Sequence, residues 1–403
     1  MRTTGFVMLG LGSLWASAAA AQLLHAVPSL ESALRPVGGA LDGAVEATAR
    51  GARELADAHL SRIAALVRAN PGRVALDPDG FPARAGEVVL SDPDAALVSA
   101  AVAKGFAVIE RDQALGVGYA RLSVPEGLAL KAAIRLLRTL GAKEVSADQL
   151  YSVSGATGDV SLPSSGNGPR VGMIDGGVLG SAVTQRGFAS GAPRASKHGT
   201  AVASLISGSG RVRGAAPGAH VLAGDVYGSD PAGGNATAIV KALGWLVAER
   251  VPVVTISLTG PPNLLLGRVV AAAQARGTII VAAVGNDGAA SPLSYPASYP
   301  GVIAVTATDG RKRILIEAGR ATHLDYAAPG ADILAADLSG DAVRVRGTSF
   351  AAPLVAGIIA RVYPVPILAN RASALATVDA GAERLGARYG RGLVCSTCRL
   401  PVK

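Results

Sequence analysis

Three side chains of this sequence, Asp175, His198 and Ser349, together offer the chemistry that cleaves an amide bond. A serine hydroxyl becomes a strong nucleophile when a histidine takes its proton, and a carboxylate orients that histidine and stabilises its charged form. The oxyanion formed next needs donors already in place, and the uncharged amide of Asn286 can supply one. These residues predict acyl transfer from a peptide, provided that the fold gathers them.

The local sequence predicts that each residue lies at the end of a secondary-structure element. Asp175 directly follows an apolar strand, 171–174, and open α/β sheets build their sites at the carboxyl ends of strands. Asn286 also follows a predicted strand, whereas His198 and Ser349 each begin a predicted helix. A helix start at Ser349 directs N–H groups and the positive end of the helix dipole toward an oxyanion formed beside it.

The segments around these residues resemble the motifs of the subtilisin-like serine peptidase family, in that family's chain order of Asp, His and Ser. The resemblance covers residues 169–394 and is carried by Ile174–Gly176, His198–Ala203, Gly214–Ala219, Tyr295–Ala297, Val302–Val305, Ala327–Gly330 and Gly347–Pro353. It implies a serine endopeptidase with Asp175, His198 and Ser349 as catalytic triad. It also implies that Asn286 is an oxyanion donor.

The same resemblance implies where a substrate binds. The segment Ser257, Leu258, Thr259 and Gly260 looks like the strand edge that pairs with substrate backbone and walls the specificity pocket. The opposite wall is expected from Ala283, Val284 and Gly285. The partners implied are protein or peptide substrates.

Two departures from the family pattern bear on metal binding and on the aspartate motif. Gly176-Gly177 stands where the family usually has Ser or Thr and then Gly, and the interval between Asp175 and His198 is short. The loops that often carry calcium are therefore expected to be trimmed. No repeated Asp and Asn pattern of a calcium loop occurs, so we predict no metal site and no cofactor, with a structural calcium unsupported by any motif.

Each of these residue types alone is more often structural than catalytic. The alternative from another functional class is a non-cleaving binding protein that keeps the subtilisin-like fold. A third possibility is an enzyme restricted to one regulatory substrate. The glycine-rich stretch 172–180 lacks the spacing of a dinucleotide-binding loop, which argues against a nucleotide cofactor.

The elements that must position these residues alternate between apolar strands and helices from residue 169 onward. This alternation predicts an α/β fold, a doubly wound and mostly parallel sheet with helices on both faces. Residues 169–403 are therefore predicted to be the catalytic domain.

Residues 73–151 are predicted to form a small α+β domain in the order β-α-β-β-α-β, a ferredoxin-like unit. Its position resembles that of the inhibitory propeptide of the family, which implies that the chain's own propeptide domain is a partner of its cleft. The Ser-, Gly- and Pro-rich linker 152–168 is a natural place for processing. Residues 22–72 are predicted to be a helical segment, from Leu41 to Val67, of unassigned role.

Residues 1–21 are predicted to be a signal peptide, because a basic start precedes an apolar stretch that ends in small residues. The apolar stretch is shorter than the about 20 residues of a membrane span, although a retained anchor is the alternative. We expect a secreted or periplasmic protein with no stable membrane insertion after signal removal.

The composition, with 50% apolar and 17% charged residues, excludes a largely disordered chain. The net charge is +9, but the basic residues are scattered without aromatic interleaving, so no nucleic-acid partner is predicted. A scattered positive charge of this kind favours weak adhesion to anionic surfaces over nucleic-acid binding. Cys395 and Cys398 are the two cysteines, and in an exported chain they predict a small disulfide loop rather than a redox motif.

Overall fold

The computed structural model of the protein describes residues 38–153, 168–180, 183–339 and 341–400. The predicted signal peptide, 1–21, and most of the predicted linker, 152–168, lie outside the described residues. The chain divides into a unit of residues 1–54 and a unit of residues 55–403. The described part of the first unit belongs to helix α1, Gly38–Ala69, which extends the predicted helix at both ends.

The bounds of the secondary-structure elements follow in chain order. The strands are β1 Val74–Leu76, β2 Pro82–Ser91, β3 Ala107–Ala114, β4 Val117–Ser123, β5 Val145–Gln149, β6 Ser152–Val153, β7 Arg170–Asp175, β8 Thr184–Gly187, β9 His220–Asp225, β10 Val253–Ile256, β11 Leu258–Thr259, β12 Ile279–Ala283, β13 Ile303–Thr308, β14 Tyr326–Pro329, β15 Ile333–Ala336 and β16 Ala342–Val345. The helices after α1 are α2 Ala95–Ala103, α3 Leu130–Thr139, α4 Lys197–Ser207, α5 Ala236–Ala248, α6 Leu264–Ala275, α7 Thr348–Val362 and α8 Arg371–Gly381.

The larger domain is built on a seven-stranded sheet in the order β14-β13-β12-β10-β7-β9-β8. Every neighbouring pair in it is parallel. This confirms the predicted doubly wound parallel sheet. The edge strands β8 and β14 were not predicted, because both are short and lack a long apolar run.

Helices cover both faces of this sheet. Side chains alternate along β7, so that Met173 joins a core with α4 and α7, while Ile174 joins a second core with α5 and α6. Both side chains are fully buried. Small residues on α4 and α7 let these helices approach the sheet and each other closely, as the Ala- and Gly-rich composition implies.

The smaller domain is an antiparallel sheet in which β5, β2, β4 and β3 are neighbours in that order, with β1 added along β2. Its elements from β2 to β5 follow the predicted order, and β1 is an additional strand. The side chains of α3 and the sheet share a core that includes Leu90, Phe106, Leu122 and Leu137. Asp94 caps α2 by accepting a hydrogen bond from the N–H of Leu97 at 2.7 Å.

This smaller domain contacts the starts of α5 and α6. The buried carboxylate of Asp148 accepts hydrogen bonds from the Thr237 N–H at 3.0 Å and from its hydroxyl at 2.7 Å. Asn263 caps α6 and donates through its Nδ2 to Gln149 Oε1 at 2.6 Å. The small domain thus supplies acceptors to groups at the positive ends of two helices.

Within the described residues, no helix has the combination of length and apolarity that a bilayer crossing requires.

Candidate active site

The structure brings together the three side chains that the sequence singled out. His198 Nδ1 lies 2.9 and 2.8 Å from the two carboxylate oxygens of Asp175. On the other side of the ring, Nε2 lies 2.9 Å from Ser349 Oγ. The imidazole can therefore exchange a proton with the hydroxyl while the carboxylate holds its opposite nitrogen.

Asp175 ends strand β7 and is fully buried. The Gly176 N–H donates to its Oδ1 at 2.7 Å, which fixes the orientation of the carboxylate toward His198. Because β7 lies between β9 and β10 in the middle of the sheet, neighbouring elements enclose the Asp175 carboxylate and shield it from solvent.

His198 lies in the first turn of α4, whose start is fixed by Ser196. The Ser196 hydroxyl accepts a hydrogen bond from the Gly199 N–H at 3.0 Å. A Cβ on Gly199 would lie 2.2 Å from the Gly176 carbonyl oxygen, so the absent side chain lets α4 approach the end of β7. This close approach is what brings the His198 ring to Asp175.

Ser349 is the second residue of α7 and is fully buried. Its carbonyl oxygen accepts a hydrogen bond from the Ser257 hydroxyl at 2.9 Å, which ties α7 to the end of β10. The Phe350 ring lies 5.2 Å from the His198 ring, measured between centroids. Helix and sheet together fix the position of the nucleophile.

Asn286 is placed beside the start of α7 by its own amide oxygen. This oxygen accepts a hydrogen bond from the N–H of Thr348, the residue before Ser349, at 2.9 Å. The Thr348 hydroxyl in turn donates to the Gly285 carbonyl at 3.1 Å. The Asn286 Nδ2 group is buried and makes no hydrogen bond with described residues. A buried donor without a partner is costly unless a bound group satisfies it, which suits an oxyanion.

The predicted substrate edge is paired with the two residues that directly follow the chain's own small domain. Strand β11 pairs antiparallel with β6, Leu258 opposite Val153 and Thr259 opposite Ser152. Just before β6, the buried Tyr151 ring lies against Gly260, where an added Cβ would come within 2.6 Å of it. The Tyr151 hydroxyl donates to the Pro261 carbonyl at 2.7 Å.

The other predicted wall residues lie close by but contribute differently. Gly285 faces Thr259, since a Cβ on Gly285 would be 3.4 Å from the Thr259 methyl carbon. The side chains of Ala283 and Val284 are buried in the two cores on opposite faces of the sheet. Gly285 is thus the member of this group that faces the β11 edge directly.

Aromatic residues at the Tyr151 site were not anticipated from the sequence. The Tyr227 hydroxyl donates to the Tyr151 carbonyl at 2.6 Å. Burial, together with the nearby carboxylates of Asp175 and Asp225, raises the pKa of Tyr227 well above its ordinary value. Tyr227 follows strand β9 by two positions, so its place after a strand end was the signal in the sequence.

Cys395 and Cys398 are joined by a disulfide in the structure, far along the chain from the triad. Across the described ranges, no three His, Cys, Asp or Glu side chains gather as they would around a metal ion.

Comparison with known proteins gives consistent matches. The profile of the Subtilase family matches residues 181–373, a range that includes His198, Asn286 and Ser349 and begins after Asp175. Subtilisin E of Bacillus subtilis (strain 168) is 32% identical over 247 residues, which are 57% of this chain and 65% of that protein. Subtilisin of Bacillus pumilus is 31% identical over 247 residues, 57% of this chain and 90% of that protein.

Among solved structures, fervidolysin from Fervidobacterium pennivorans aligns with a TM-score of 0.64 over 82% of this chain and 62% of its own. Its sequence identity is 17%, so this likeness concerns the fold. The alignment reaches well beyond the profile match at 181–373.

Proposed function

We propose, from the premise that the chain belongs to the subtilase family of subtilisin-like serine peptidases, that it hydrolyses peptide bonds through Asp175, His198 and Ser349. The observation that carries this proposal is the 2.9 Å separation between His198 Nε2 and Ser349 Oγ, with Asp175 on the other ring nitrogen. The proposed reaction uses only groups of the chain itself and water, without a cofactor.

In the proposed mechanism, Ser349 Oγ attacks the peptide carbonyl while His198 Nε2 takes the hydroxyl proton. Asp175 holds the ring and stabilises its charged form. His198 then gives the proton to the leaving amine, which leaves the acyl group bound to Ser349. A water molecule next attacks this acyl group while His198 takes its proton, and return of that proton to Ser349 Oγ releases the acid product. The Asn286 Nδ2 group and the Ser349 N–H stabilise the oxyanion that forms in acylation and again in deacylation.

Substrate is proposed to bind as an added antiparallel strand along Ser257–Gly260. The support for this is the strand β6, which already occupies the edge of β11. Because β6 forms the first two residues of the predicted linker, we propose that the enzyme processes its own chain between residues 151 and 168. Residues 73–151 would then act as propeptide, with export directed by residues 1–21.

The test of the catalytic assignment is Ser349→Ala in the full chain. We expect casein hydrolysis to be lost and the precursor to keep its full length, because no other described residue replaces the nucleophile. Ser190→Ala is the matched control, since Ser190 is an exposed serine of the same domain. Processing and hydrolysis that survive Ser349→Ala would overturn the triad. An unprocessed and inactive parent chain would instead favour the non-cleaving binding protein.

The test of the processing assignment is the mature N-terminus of the exported protein, determined by mass spectrometry. We expect it to lie between residues 151 and 168. A mature chain beginning before residue 73 would rule out the propeptide role of the small domain.

A further inference from the structure

The half-buried face of helix α1 lies against the loop that carries the oxyanion donor. From residue 55 onward, Leu55, His59, Ile63 and Leu66 recur at helical spacing and are all partly buried, whereas the residues between them are mostly exposed. We call residues 55–69 the arm. The arm precedes the small domain, and the sequence pattern alone assigned no role to it.

The arm contacts the loop through a histidine, an arginine and one apolar side chain. His59 Nδ1 lies 2.9 Å from Asp287 Oδ2, and Arg62 binds the other carboxylate oxygen. Leu55 lies over Gly288, where an added Cβ would come within 3.0 Å of its Cδ1 atom. Asp287 directly follows Asn286, so these contacts hold the residue next to the proposed oxyanion donor.

The arm also borders the occupied cleft. A small cavity of about 70 Å³ is lined by His59 and Ile63 of the arm, by Ser152 of β6 and by Thr259 of β11, together with Asp287. The arm forms one wall of this cavity, and the predicted substrate edge forms another. The arm therefore covers the side of the cleft where the β6 strand lies.

The last turn of the arm packs against residues of both domains. Leu66 and Val67 pack on a cluster formed by Val74 of the small domain, Leu150 beside β6 and Ala232 of the larger domain. These apolar contacts link the end of the arm to both domains at the same point.

Electrostatics agree with this contact. Burial of Asp287 opposes ionisation, but the hydrogen bond from His59 and the charge of Arg62 outweigh it and hold the pKa of Asp287 below its ordinary value. The carboxylate is therefore charged when the arm is docked, as an ion pair with Arg62 requires.

We propose that the arm is a second inhibitory element, which docks on Asn286-Asp287-Gly288 and holds the β6 strand in the cleft separately from the small domain. This inference rests on the proposed function, because inhibition presumes a peptidase. It assigns a role to residues that lie outside the predicted propeptide.

Docking is tested in the full chain carrying Ser349→Ala, which cannot process itself. Hydrogen–deuterium exchange of residues 284–291 is followed in this parent, in Leu55→Ala/His59→Ala/Arg62→Ala, and in the control Arg68→Ala, an exposed arginine of the same helix. We expect the exchange to be about tenfold faster in the triple variant, because this variant loses one weak ion pair and one apolar contact. Exchange in the control should be unchanged. Equal exchange in all three would overturn the proposal.

Swapping the charges of the Arg62–Asp287 pair provides a second test, which holds even if the triple variant changes the structure away from the loop. Arg62→Glu should increase exchange of residues 284–291, and Arg62→Glu/Asp287→Arg should return it toward the parent value, with β12 unchanged throughout. Failure of the double variant to recover protection would contradict direct docking of Arg62 on Asp287.

Inhibition is tested with Ser349 intact, from the lag before a purified precursor begins to hydrolyse casein. The triple variant should shorten this lag about tenfold, and Arg68→Ala should leave it unchanged. An unchanged lag in the triple variant would overturn the inhibitory role. A parent that never becomes active would refute the proposed function, whereas the exchange result with Ser349→Ala would still decide whether the arm docks.

Discussion

The stability of the precursor should fall as the pH rises through 6 because of the carboxyl group of Asp148. This side chain is fully buried at the contact between the small domain and α5. Burial raises its pKa from 3.8 to about 6, although the hydrogen bonds from Thr237 act in the opposite direction. The docked structure therefore favours the protonated carboxyl more than the unfolded chain does.

The sign and size of the effect follow from this difference. A group with a raised pKa in the folded state contributes stability that is complete below its ordinary pKa and is lost as the pH rises through the folded pKa. A rise of about two pH units in the pKa corresponds to about 3 kcal/mol, of which about 2 kcal/mol should be lost between pH 4.5 and pH 8.

The assay is guanidinium unfolding of the full chain carrying Ser349→Ala, with and without Asp148→Asn. The asparagine is close in shape to the protonated carboxyl and does not ionise. The variant should therefore gain about 2 kcal/mol relative to the parent between pH 4.5 and pH 8. Asp79→Asn, at an exposed carboxylate of the same domain, should give no such gain. A pH-independent difference between Asp148→Asn and the parent would refute the reasoning.

Three further changes test other parts of the site. Asn286→Ala should lower kcat by about 10²–10³-fold with little change in KM, a magnitude measured in a subtilisin, hence in a relative. Gly199→Ala would put a methyl group 2.2 Å from the Gly176 carbonyl oxygen, and the shift of His198 that this forces should lower kcat by about 10²-fold or more. Replacing the cysteine pair by Cys395→Ser/Cys398→Ser should lower the free energy of unfolding by less than about 2 kcal/mol and leave kcat unchanged, because the bond closes a very short loop.

Each of these tests has its own control. Steady-state hydrolysis of a peptide substrate compares Asn286→Ala with Asn370→Ala, an exposed asparagine, and equal kcat values would contradict the oxyanion role. Gly381→Ala is the control for Gly199→Ala, because an added Cβ at Gly381 meets no atom within 4 Å. If both glycine variants kept full activity, the close approach of α4 to β7 would not matter. For the cysteine pair, a large loss measured by unfolding would mean that the bond constrains more than its own loop.

Much of the active site followed from local sequence because each functional residue stands at the end of a recognisable element. Asp175 ends an apolar strand and Ser349 begins a helix, and parallel sheets collect such ends at one edge. The alternation of strands and helices also predicted the doubly wound sheet. The short strands β8 and β14 escaped prediction, since they are defined by their neighbours and not by their own apolar pattern.

The tertiary structure alone decided the contacts between residues that are distant in the chain. The sequence contained Asp148, Tyr227 and Asp287, yet nothing in their local pattern shows what each of them contacts. Asp148 accepts hydrogen bonds from the first turn of α5, Tyr227 donates to the Tyr151 carbonyl, and Asp287 binds the arm. Hydrogen bonds and ion pairs of this kind depend on distances of about 3 Å between separate elements, which packing alone sets. The chemistry of the triad was thus determined by sequence, whereas the way in which the chain covers its own cleft was determined by the fold.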